Sequence, residues 1–96
     1  MPDYLLLMHD DATEAENGWD AYFATLRRSG AFQGGSAIGD GASFRKQGSP
    51  GVVARHLAGF IRVTAADLEA ARRFLVGNPV YEAGGTVEIR TLPEDA

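Results

Sequence analysis

Apolar residues follow two different periods along this chain, and the switches between periods mark out six elements. Tyr4-Leu5-Leu6-Leu7-Met8-His9 is a short apolar run stopped by Asp10-Asp11, which predicts a buried strand. From Thr13 the spacing changes. Thr13 and Glu16 have the separation of a capping box, and Ala15, Trp19, Tyr22, Phe23 and Leu26 recur on one helical stripe. Arg27 and Arg28 fall where cations favour the negative end of a helix dipole, and Gly30 is a natural stop. On this reading Gly18 lies inside the helix, where it weakens it by about 1 kcal/mol relative to Ala.

Residues 31–38 predict a second strand, at a sheet edge or bulged at Gly34-Gly35. Residues 39–52 hold four glycines and a proline and read as a hairpin-like connection. A third strand is expected over 54–63. Its alternation sets Ala54, His56, Ala58 and Phe60 on one face, with Arg55, Leu57, Gly59 and Ile61 on the other. Thr64 is read as the cap of a second helix with Leu68, Ala71 and Leu75 as its inner stripe. Asp67 and Glu69 open that helix, Arg72 and Arg73 close it, and Gly77 followed by Asn78-Pro79 ends it. The last strand is expected over 85–92. Val87 and Ile89 turn towards the helices, while Thr86, Glu88 and Arg90 turn away from them. Pro93 closes this strand, and the tail Glu94-Asp95-Ala96 is read as frayed.

Strand, helix, strand, strand, helix, strand is the split βαβ order. It predicts an α+β, ferredoxin-like βαββαβ domain with an antiparallel sheet and two helices on one face. The two halves echo each other in their acidic helix starts, Arg-Arg ends and glycine stops. The opposite sheet face is left uncovered, so a homodimer through that face is expected.

The chain has 96 residues, enough for one domain spanning 1–96. A hydrophobic fraction of 45% separates it from disordered chains. It has no cysteine, which removes disulfides, thiolate nucleophiles and Cys-based zinc sites, and fits a cytoplasmic protein. A net charge of −4 argues against nucleic acid as a partner, because phosphate binding needs a basic face. The run at 4–8 is too short to span a bilayer and lacks the basic flank and cleavage site of a signal peptide.

In order along the chain, "MPDYLLLMH", "LRRSGAFQGG", "LAGFIRVTAADLEAARRFLVGNP" and "GGTVEIRTL" make it resemble the YCII-related family, in particular its DGPF-type branch. The resemblance implies a subunit that dimerises sheet to sheet as a dimeric α+β barrel. Two departures stand out. The Asp-Gly-Pro-Phe stretch that names the branch is missing, and "GSPGVVARHLAGF" occupies its region. The resemblance also implies a His on the first helix and an Asp before a Pro after the second. Trp19 and Asn78 stand at those places here, so that acid–base pair does not carry over.

The candidate chemistry lies on the open sheet face. His56, set there by alternation, meets Glu88 or Arg90 and can act with Glu88 as a base or proton shuttle, with Arg90 binding a ligand. Arg45 and Arg55 flank the long connection, with Lys46, and offer forked donors to a carboxylate or phosphate. Asn78 and Tyr81, with Glu82, are expected at a cavity mouth. His9-Asp10-Asp11 reads as a polar strand end, because adjacent extended residues point to opposite sides. Trp19, Tyr22 and Phe23 read as core, and the glycines of 39–51 do not form a phosphate-binding loop. No metal site and no cofactor are expected. Three functional readings follow. The first is a binder or enzyme for a small polar or aromatic molecule, with a cavity at the sheet face. The second is a structural or regulatory dimerisation module. The third is a cofactor-free oxygenase-like protein of the dimeric α+β barrel class.

Overall fold

The computed structural model describes residues 1–94. It is an α+β fold in which a four-stranded antiparallel sheet carries its helices on one face. The strands are β1 (Asp3–His9), β2 (Phe32–Ala37), β3 (Leu57–Thr64) and β4 (Val87–Leu92), in the order β2-β3-β1-β4. The helices are α1 (Trp19–Ser29), α2 (Leu68–Arg72), continued by a 3₁₀ turn over Arg73–Leu75, and α3 (Pro79–Glu82). The expected fraying of the tail at Asp95 and Ala96 lies outside the described residues. Among the described residues no helix is long and apolar enough to cross a membrane.

β1 is a central strand, paired with β3 on one side and β4 on the other. Its burial alternates without a break: Tyr4, Leu6 and Met8 are buried, while Asp3, Leu5, Leu7 and His9 are only partly covered. The buried set meets Ile61 and Val63 of β3, Tyr22 and Leu26 of α1, and Ala71, Leu75 and Val80 of the second helical region. Val87 and Ile89 of β4 pack on this same core. Leu7 is opposite Glu88 and Phe60, and Leu5 is opposite Arg90 and Arg62. Residues opposite in an antiparallel pair share a face. All of these therefore stand on the face without helices.

Several element boundaries differ from the sequence expectation, each for a local reason. Helix α1 starts at Trp19, because Thr13 spends its backbone N–H (2.9 Å) and hydroxyl (3.2 Å) on the carbonyl of Ala83. Gly18 is consequently the N-cap, at φ 87°, a left-handed conformation that suits glycine. Thr64 ends β3 and gives its hydroxyl to Asp3 (2.8 Å), so the cap of α2 is Asp67, which accepts from the Ala70 N–H at 2.8 Å. Leu68 is 54% exposed and is not part of the inner stripe. Asn78-Pro79 ends one helix and begins the next: Asn78 Oδ1 accepts from the N–H groups of Val80 and Tyr81, and Pro79 takes the first helical position. β2 is an edge strand with a register shift between Phe32 and Gly34. β3 begins at Leu57, three residues later than expected.

Close packing makes two substitutions informative. Leu6 is fully buried at the centre of the sheet. Leu6→Ala is expected to lower the unfolding free energy by roughly 2–5 kcal/mol, read by urea denaturation. At Gly35 an added Cβ would lie 2.5 Å from the Phe60 carbonyl oxygen. Gly35→Ala should therefore be destabilising although the residue is exposed, and an unchanged denaturation midpoint would contradict the packing described.

Candidate functional site

At the end of β1, His9 projects from the open face beside β4. Its Nε2 lies 2.8 Å from Glu88 Oε1, and Arg90 Nη1 donates to Glu88 Oε2 at 3.0 Å. The His56 ring meets His9 edge-on, with centroids 4.8 Å apart and planes at 75°, and the His56 carbonyl accepts from the Asp10 N–H at 2.7 Å. The hydrogen bond from His9, and after it that from Arg90, hold the Glu88 carboxyl below its ordinary range against the opposing effect of desolvation. Nearby, Asp11 accepts from both the N–H and the hydroxyl of Thr86, each at 2.7 Å. The Thr86 hydroxyl, then its N–H, lower the Asp11 pKa. At the far end of the face Asp3 accepts from Arg62 Nε (2.7 Å) and the Thr64 hydroxyl (2.8 Å), and these bonds, Arg62 first, lower its pKa.

Glu88 and Arg90 thus come together as the alternation predicts, but the imidazole on Glu88 belongs to His9. His56 lies outside the strand, exposed in a turn at Arg55-His56, and reaches the cluster only through the His9 ring. The cause is a register shift at Met8/His9, which pairs His9 with Leu57. A carboxylate-held imidazole is a unit of acid–base chemistry. Here both Glu88 oxygens already have partners within the chain. Among the described residues no group of three or more His, Asp or Glu side chains is arranged to hold a metal ion.

The other predicted residues are placed elsewhere. Asn78 is fully buried in the helical layer, with its carbonyl oxygen committed to capping α3, so it lines no cavity mouth. The Tyr22 hydroxyl donates to the Phe74 carbonyl at 2.6 Å, and its pKa is pushed up by burial. The Asn78 amide works against that rise, although its Nδ2 has no hydrogen-bond partner among the described residues. Tyr81 is exposed, and Glu82 accepts from the Gly77 N–H at 2.8 Å. Arg45 lies on the long connection and reaches the Ser49 carbonyl at 3.3 Å. Arg55 borders a shallow polar hollow of about 310 Å³ shared with Asp10, Asp40 and Leu57.

The larger cavity, about 450 Å³, is on the other side of the sheet from Glu88, between α1 and the β2–β3 edge. Trp19 and Phe23 of α1 and Phe32 of β2 form its wall, and Gly35, Ala37 and Gly59 form much of its floor. The Trp19 and Phe23 rings stack at 5.5 Å, and Phe23 meets Phe32 edge-on at 5.5 Å. The Arg27 guanidinium sits over Phe23 and Phe32, 5.8 and 5.5 Å from their centroids, and makes no ion pair among the described residues. Glu16 accepts from Trp19 Nε1 at 3.3 Å at the rim. The cleft exists because β2 and β3 put glycine and alanine where a helix-covered sheet would ordinarily carry larger side chains. Of the three aromatic residues read as core on α1, Tyr22 is buried in the core, while Trp19 and Phe23 pack against it partly buried and also border this cleft.

No family model matches the chain, and no curated protein matches it.

The lowered carboxyl groups fix the sign of an acid response. A group whose folded pKa is depressed contributes stability above its unfolded pKa, and that contribution is lost as pH falls through the folded value. Stability from Asp3, Asp11 and Glu88 is therefore present at neutral pH and lost below about pH 4. An Asp11→Asn, Glu88→Gln double variant should be less stable at pH 7, with a shallower loss on acidification. Thermal midpoints measured from neutral to acid pH give the comparison, and parallel curves for the two proteins would contradict the assignment.

Proposed function

We propose that this chain is a YCII-related, ferredoxin-like protein of the cytoplasm that works as a homodimer and binds a small aromatic acid in the cleft between α1 and the sheet. The observation that carries the reading is the cleft itself. Its volume lies within the range of small-molecule sites, its walls are aromatic, and the Arg27 guanidinium, which has no ion pair among the described residues, stands over them. A planar ring fits between Trp19, Phe23 and Phe32 by stacking and edge contacts. A carboxylate on that ring would take the forked donors of Arg27. The strand order β2-β3-β1-β4 supports the ferredoxin-like assignment, and the apolar positions Leu5, Leu7 and Phe60 on the open face support the homodimer.

Binding is favoured over catalysis at the open face. His9, Glu88 and Arg90 satisfy one another, and the sheet separates them from the cleft. In this reading they are a tie across the β1–β4 pair that also presents polar groups to the partner sheet. Arg45, Arg55, Asn78 and Tyr81 have no part in the ligand site.

Trp19 is the only tryptophan, so its fluorescence reports on the cleft directly. Titration with benzoate, naphthoate and indole-carboxylate probes should give saturable changes. Replacing the probe carboxylate by a carboxamide, or Arg27 by Ala, should weaken binding by about tenfold or more, the scale of a hydrogen bond to a charged group. Linear, non-saturating responses across the series would overturn the ligand reading.

A further inference from the structure

We propose that residues 38–56 form an arm that lies on a second copy of the chain and seats Phe44 against that copy's open sheet face, at Leu5, Leu7 and Phe60. The inference rests on the homodimer just proposed and assigns the segment that clasps it. The 19 residues between β2 and β3 form neither helix nor strand. Connections of that length inside a compact domain are uncommon and are usually functional. This one is anchored at its base, where the Ile38 N–H donates to the Ala58 carbonyl. Beyond the base it carries two apolar side chains into solvent, Phe44 at 90% and Val52 at 95% exposure. Burying a phenylalanine ring is among the larger single contributions available to a small protein, and its own chain leaves this one uncovered.

Area and charge identify the partner as another copy. The accessible surface is 6597 Å², against about 5300 Å² expected for a folded monomer of 10.2 kDa. The radius of gyration is 14.7 Å, against about 12.5 Å for a compact chain of this length. The excess surface exceeds the roughly 800 Å² per partner of a standard stable interface. Arg45, Lys46 and Arg55 against Asp40 give the arm a net charge of +2, which leaves −6 on the rest of a chain whose total is −4. A basic arm and an acidic body attract between copies, and both are present in every copy. On the open face, partly exposed Leu5, Leu7 and Phe60 offer an apolar seat bordered by two ion pairs, Asp3 with Arg62 and Glu88 with Arg90, so the charge attraction comes from the acidic body as a whole.

Sedimentation equilibrium on the full chain and two variants tests the arm. The parent should be a dimer, Phe44→Ser should raise its dissociation constant about tenfold or more, and Val76→Ser, equally an exposed apolar truncation but on the helical side, should leave it unchanged. Because the chain has no cysteine, a Phe44→Cys, Leu7→Cys double variant should also form a disulfide between copies under mild oxidation. A dimeric parent whose constant is the same in Phe44→Ser, with no cross-link between copies, would overturn the arm and leave the homodimer standing. A monomeric parent at the highest soluble concentration would overturn both.

Discussion

The period-two alternation of β1 is the constraint on which the rest of the molecule depends. Paired along both edges, this strand has no freedom to slide without disrupting β3 and β4 together. A slip of one residue would send Tyr4, Leu6 and Met8 to the open face and bring Asp3 and His9 into the core. The cost of burying those polar groups, added to the loss of the apolar cluster, fixes the register. Once it is fixed, the two faces of the sheet are assigned for every strand. Helices α1 to α3 cover one face, and His9, Glu88, Arg90, Arg62 and Asp3 have nowhere to go but the other.

The two faces then acquire different characters from small differences in sequence. On the covered face the helices close over β1 and β3 with large apolar residues, but towards β2 the floor shrinks to Gly35, Ala37 and Gly59. The aromatic side chains of α1 stand above that floor without filling it, and a cleft results. On the open face the charged residues are tied to one another across strands: Asp3 to Arg62 and Thr64, and Glu88 to His9 and Arg90. Such ties at exposed positions add little stability individually. Their larger consequence is orientation, because they leave Leu5, Leu7 and Phe60 as the apolar part of a face otherwise occupied by satisfied polar groups.

Much of this was legible in the chain because it depends on local period. The β1 run, the α1 stripe from Trp19 to Leu26 and the Val87/Ile89 alternation all follow from side chains that must reach one core. What escaped depended on pairing partners distant in sequence. Thr13 has the spacing of a capping box with Glu16, yet the carbonyl of Ala83, 70 residues away, takes its hydroxyl. Beside Asp10 and Asp11, which point elsewhere, His9 reads as no more than a polar strand end. The useful signal was that His9 continues the outward series of Leu5 and Leu7, next to which Glu88 must fall if β4 pairs with β1. Alternation alone places His56 in β3, whereas β3 begins at Leu57, with a register shift at Met8/His9, and His56 lies in a turn. The cleft was hidden for another reason: aromatic residues at helical spacing read as core unless the residues opposite them are seen to be glycine and alanine.

The proposed aromatic-acid site lies on one face of the sheet and the proposed dimer seam on the other. Native mass spectrometry of the protein, purified gently from cells, addresses both at once. The expected result is a species at twice the 10.2 kDa chain mass that carries a reproducible extra mass, released on activation as an organic acid. A single chain of 10.2 kDa with no added mass, under conditions that preserve known weak dimers, would contradict it.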